Sequence, residues 1–98
     1  MTAAQSELFT KCCRLVHTMC HDRPVPPLLL VVTLDASLDD MRATSYLLGE
    51  LLRIGWLQLI DEEGVYLDPY QTSPERMDIF VWATHQFPPH ATPADVPR

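Results

Sequence analysis

Ninety-eight residues suffice for one domain with a single modest core, and 47% hydrophobic residues are too many for general disorder. The net charge of -6, from 7 Lys and Arg against 13 Asp and Glu, repels phosphate backbones and suits a basic partner or plain solubility. The longest apolar run, Leu28 to Val32, is far too short to span a bilayer.

Residues 3–21 carry a helical stripe of Leu8, Cys12, Leu15, Val16 and Met19, with a later start near Ser6 as the alternative. "HDRPVPP" (21–27) ends it, and Pro24, Pro26 and Pro27 favour an extended connector. "LLLVVTL" (28–34) is short, continuous and partly β-branched, which suits a buried strand. Asp35 or Ser37 then caps a helix, with Asp39 and Asp40 in its first turn. Its stripe runs through Leu38, Met41, Ser45, Leu48 and Leu52, and Gly55 stops it.

Residues 56–60 and 65–68 read as a β-hairpin across "DEEG", with Gly64 at the positive-φ position. "TSPERMDIFVWATHQF" (72–87) opens like a helix, with Ser73 as N-cap and Pro74 at the first helical position. A strand over Ile79–Ala83 is the competing reading. Four prolines mark residues 88–98 as a disordered tail behind a domain spanning 1–87. The fold class expected is α+β: helix, strand, helix, β-hairpin, helix, with a three-stranded antiparallel sheet.

"LLxELLRxGWLxL…GVYLDP" resembles the end of a recognition helix followed by a wing. The residues that carry this are Leu48, Leu51, Leu52, Ile54, Gly55 and Trp56, then Val65, Tyr66 and Leu67. Over roughly residues 28–69 the chain thus resembles a winged helix-turn-helix domain. That resemblance implies DNA contact through Lys11, Arg14, Arg42 and Arg53. Two features depart from it. Residues 37–55 offer no evident turn and read as one helix. The wing carries Asp61, Glu62, Glu63 and Asp68, which have the wrong sign for a phosphate backbone.

"CCRLVHTMCH" places Cys13, His17, Cys20 and His21 on one side of a helix. Cys13 and Cys20 would stand about 10 Å apart along the axis, so one ion cannot take all four. An i,i+4 pair would need help from His85 or His90. No metal or other cofactor is expected, and the three thiols read as reduced. Cys12 is assigned to the core, Cys13 and Cys20 to its flanks, and the histidines to solvent. Asp35, Asp39 and Asp40 sit where helix capping wants them. No nucleophile elbow or glycine-rich phosphate loop is present, so the chain is not read as an enzyme.

Two functional classes remain. The first is a non-catalytic, acidic, cytoplasmic regulator or inhibitor that docks on a larger protein, on a basic nucleic-acid-binding surface for example. By analogy it looks like small inhibitors encoded by mobile elements, including anti-CRISPR proteins. Its contacts would be Asp61, Glu62, Glu63 and Asp68, with Tyr46 and Tyr70 as surface anchors. Apolar surface left on the long helix would serve affinity or a homodimer. The second class is the winged-helix DNA-binding regulator.

Overall fold

The computed structural model of the chain describes residues 2–73 and 75–97. Helix α1 (Ala3–Cys20) begins at a reciprocal cap rather than near Ser6. Thr2 Oγ1 accepts from the Gln5 amide at 3.1 Å, and Gln5 Oε1 accepts from the Thr2 amide at 2.8 Å. Its buried face is Phe9, Cys12, Cys13, Val16 and Cys20. Cys13 and Cys20 thus belong to the core, and not to its flanks.

The segment expected as a strand is a helix, α2 (Pro27–Leu38). Two features decide this. Pro27 occupies the first helical position, where its missing N–H costs nothing. Leu34 and Leu38 also extend the apolar positions past the run at helical spacing from Leu30, giving 12 residues, a helix length rather than a strand length. Leu30 and Leu34 are its buried positions.

The segment expected as one helix is broken. Asp39 adopts φ 52°, ψ 37°, ending α2 in the left-handed region without a glycine. Asp tolerates this region better than most residues. Asp40 then caps α3 (Met41–Arg53), its Oδ1 accepting from the Ala43 amide at 3.0 Å. Thr44 is fully buried, and its hydroxyl donates to the Asp40 carbonyl at 3.1 Å. Leu47 and Leu51 complete the buried face of α3.

Three strands follow: β1 (Leu57–Ile60), β2 (Tyr66–Leu67) and β3 (Phe80–Ala83). They form an antiparallel sheet in the order β2-β1-β3. The fold is therefore α+β with a three-stranded antiparallel sheet, as expected, but its third strand is a different segment. Among the described residues of 73–87 there is no helix, against the expectation of a C-terminal helix there. Ser73 starts only a turn, accepting the Glu75 amide on its hydroxyl at 3.3 Å. The competing strand reading holds, because Phe80–Ala83 pairs along the whole of β1, Leu57↔Ala83 through Ile60↔Phe80. Pro74, expected at the first helical position, lies outside the described residues.

The proline connector adds one rung to the sheet. The Val25 amide donates to the Val81 carbonyl at 2.9 Å, and the Val81 amide returns a bond to Val25 at 2.8 Å. Pro24, Pro26 and Pro27 have no N–H, so this pairing cannot lengthen into a ladder.

Gly55 (φ 83°) turns the chain from α3 into β1. Trp56 is buried there, its ring 5.3 Å from Phe87 and 6.5 Å from Phe9. Residues 88–97, expected as a disordered tail, instead place Ala91 in the core and Val96 against it. Thr92 and Asp95 form a second reciprocal cap over the short 3-10 turn Pro93–Asp95.

Asp39→Gly tests the break. A left-handed cap predicts a gain of about 0.5–1 kcal/mol in urea unfolding, whereas a continuous helix predicts a loss of about 1 kcal/mol.

Candidate functional site

A groove of about 770 Å³ lies between the start of α1 and α3, a size that suits a ligand or a partner segment. Leu8 and Phe9 come from α1, Leu47 from α3, Ile54 from its end, and Pro93 and Val96 from the C-terminal segment. Arg42, Tyr46 and Glu50, one helical turn apart on α3, supply polar atoms.

Tyr46 leads out of the groove and is 68% exposed. Beside it, Arg53 forms a two-pronged bond with Glu50, at 3.1 Å from Nε and 2.7 Å from Nη2. That pair raises the Arg53 pKa, chiefly through the hydrogen bond, and holds Glu50 below the usual carboxylate range for the same reason. Tyr70 and Tyr46 both lie close enough to Arg53 to add smaller contributions in the same direction. Tyr70 is 79% exposed, on the turn after β2. The structure thus gathers Tyr46, Tyr70 and Arg53 at one end of the hairpin.

The expected acidic contacts divide into two kinds. Asp61 Oδ1 accepts from the Glu63 and Val65 amides at 2.9 and 2.8 Å, and Asp68 Oδ1 accepts from the Tyr70 amide at 2.9 Å. Both carboxylates therefore build turns. Glu62 and Glu63 are exposed, and among the described residues their carboxylates make no bond. They sit at the hairpin tip, separated from Tyr70 by the length of β1, roughly 13 Å for four strand residues. One compact patch does not hold both groups.

Of the four basic residues implied by the winged-helix resemblance, only Arg42 lines the groove. Lys11 Nζ donates to the Ser37 carbonyl at 2.9 Å, and Arg53 is committed to Glu50. Arg14 is exposed on α1.

Burial pushes the thiols of Cys12, Cys13 and Cys20 up to about 12, so they are neither thiolate nucleophiles nor ready ligands at neutral pH. Among the described residues no group of three His, Cys, Asp or Glu side chains is placed to hold a metal ion. His17 and His21 stack with ring centroids 4.8 Å apart, and His17 meets the buried Phe87 edge-on at 5.3 Å. His21 directs Nδ1 to the His17 carbonyl at 2.8 Å and Nε2 to Asp22 at 3.1 Å.

The groove itself was missed by sequence reasoning, because one wall belongs to a segment dismissed on its prolines. A signal was present: Thr92-Pro93-Ala94-Asp95 has the cap-and-proline pattern that opens a turn of helix. Comparison with protein-family models, curated proteins and solved structures gives no match. Among the described residues no helix is long and apolar enough to cross a membrane.

Partial burial lowers the His17 pKa below 6.5; the positive charges of His21 and His90 act in the same direction, and Asp22 opposes them. The unfolded chain therefore binds the proton more readily, and stability falls as pH drops below 6.5 through the folded value. The urea midpoint should fall between pH 7.5 and 5, and His17→Gln should make that fall shallower.

Proposed function

We propose that this chain is a non-catalytic protein-binding regulator or inhibitor that docks on a larger protein. The observation that carries the reading is the convergence of Tyr46 and Tyr70 on Arg53 beside an apolar groove. Exposed tyrosine and arginine beside an apolar groove is the composition of an interface hot spot. Tyrosine offers a large, stiff contact area for little lost side-chain entropy. Three shielded thiols support a non-catalytic role.

Charge supports a basic partner surface, of the kind that also binds nucleic acid. The chain carries -6, and Glu62 and Glu63 project unpaired from the hairpin tip. Charges at the rim of a contact chiefly speed encounter and exclude wrong partners, while the aromatic anchors hold the complex. On this reading Asp61 and Asp68 shape the loops that present Glu62, Glu63 and Tyr70.

A second reading, a winged-helix DNA-binding regulator, is favoured by one observation. Two helices separated by a tight turn, α2 and α3, precede the hairpin, and Val25 contributes a first short strand. The order of elements is that of the winged-helix family. The electrostatics favour the protein partner, since Arg53 is neutralised within α3 and the tip is acidic.

A pull-down from host lysate with and without nuclease separates the two. A stoichiometric protein retained after nuclease supports docking; DNA recovered directly supports the second reading. With the partner in hand, Tyr46→Ala and Tyr70→Ala should each weaken binding about 10- to 100-fold, mainly by faster dissociation. Glu62→Lys with Glu63→Lys should instead slow association and reduce its salt dependence.

A further inference from the structure

Over Pro27–Val32 helix α2 is apolar on every side, yet the domain buries only one of them. Leu30 and Leu34 face the core, while Leu28, Leu29 and Val32 remain 73%, 51% and 56% exposed, and Ala36 is exposed beyond them. A helix apolar all round is ordinarily enclosed. We propose that a second copy of this chain covers this face, with the two α2 helices packed antiparallel across a two-fold axis at Val32.

The pattern is self-complementary. Val32 lies midway between Leu28 and Ala36, four residues from each, about 6 Å along the axis on either side. An antiparallel two-fold sets Val32 against its own copy and Leu28 against the partner's Ala36, twice over. The large side chain at one end meets the space left by the small one at the other. A parallel arrangement would set leucine on leucine and alanine on alanine.

Charge selects the same occupant. Two copies each carrying -6 meet best where carboxylates are few, and within α2 the only one is Asp35, which is half-buried with one carboxylate oxygen fully covered by its own chain. No charged residue occurs between Arg23 and Asp35. At the ends the arrangement becomes attractive. Arg23, exposed beside the start of α2, makes no ion pair among the described residues, and Asp39 is exposed at its end. Antiparallel packing brings each Arg23 toward the other copy's Asp39 and pairs the helix dipoles head to tail. A shallow groove of about 420 Å³ adjoins this face at Leu29, lined also by Met19, Val25 and the charged pair Asp22 and Arg23. This surface is separate from the α3 docking face, so the two proposals stand or fall independently.

Sedimentation equilibrium of the full chain tests it, with circular dichroism confirming that each variant is folded. The wild type is expected at twice 11.2 kDa. Val32→Asp should raise the dimer dissociation constant at least about 30-fold. Ala36→Leu alone should also weaken the dimer, and adding Leu28→Ala should restore it by exchanging large for small at both ends. A wild type monomeric up to about 1 mM overturns the proposal and leaves the stripe to a foreign partner. A dimer untouched by folded Val32→Asp, or no recovery on the exchange, overturns it equally.

Discussion

The indole of Trp56 lies between Phe9 of α1 and Phe87, while its backbone joins α3 to the sheet. Its amide donates to the Leu51 carbonyl at 3.1 Å, closing the helix. Its carbonyl accepts from the Thr84 amide at 2.9 Å and shares the Thr84 hydroxyl with the Gly55 carbonyl. Four parts of the domain meet at this residue: α1 through Phe9, α3 through Leu51, the end of β3 through Thr84 and the C-terminal segment through Phe87. The positive φ of Gly55 makes the junction tight enough for these contacts to coincide. The groove owes its shape to the same junction, since Ile54 and Phe9 line it from either side.

Local chemistry in the sequence foretold α1, the β1–β2 hairpin and the Gly55 stop, because each depends on nearby residues. What it obscured were choices made by distant partners. The run from Leu28 to Leu34 is equally apolar as strand or helix, and packing of Leu30 and Leu34 on the core selected the helix. Asp39 gave no glycine signal for its left-handed conformation, so the α2–α3 break was hidden. The helix start at Ser73 was a true local signal, but it was confined to one turn by the pairing of Phe80–Ala83 with β1. Of the candidate site, Tyr46, Tyr70 and Arg53 were each named in advance. Their convergence was not, because it depends on where β2 returns relative to α3.

The distribution of charge and apolar surface gives the molecule distinct faces. Carboxylates that look available in sequence, Asp61 and Asp68, are consumed in shaping loops. Those left free, Glu62 and Glu63, stand at the hairpin tip. Exposed Tyr46 and Tyr70 lie toward the other end of β1, exposed Val65 and Tyr66 stay beside the tip, and exposed Leu28, Leu29 and Val32 lie on α2. On the proposed reading, a small acidic domain thereby separates steering, anchoring and self-association. Each proposed contact uses side chains that the core does not need, so interface changes and fold stability can be varied separately.

The single rung between Val25 and Val81 joins residues far apart in the chain. Helices such as α2 and α3 close through near neighbours and can form within microseconds. The rung, and the seating of β3 on β1, must wait for long loops to close, the slow part of folding for any non-local pairing. Before that closure one edge of β1 is unpaired. In that state Leu57 and Val81 are uncovered, and the free edge of β1 can template another chain.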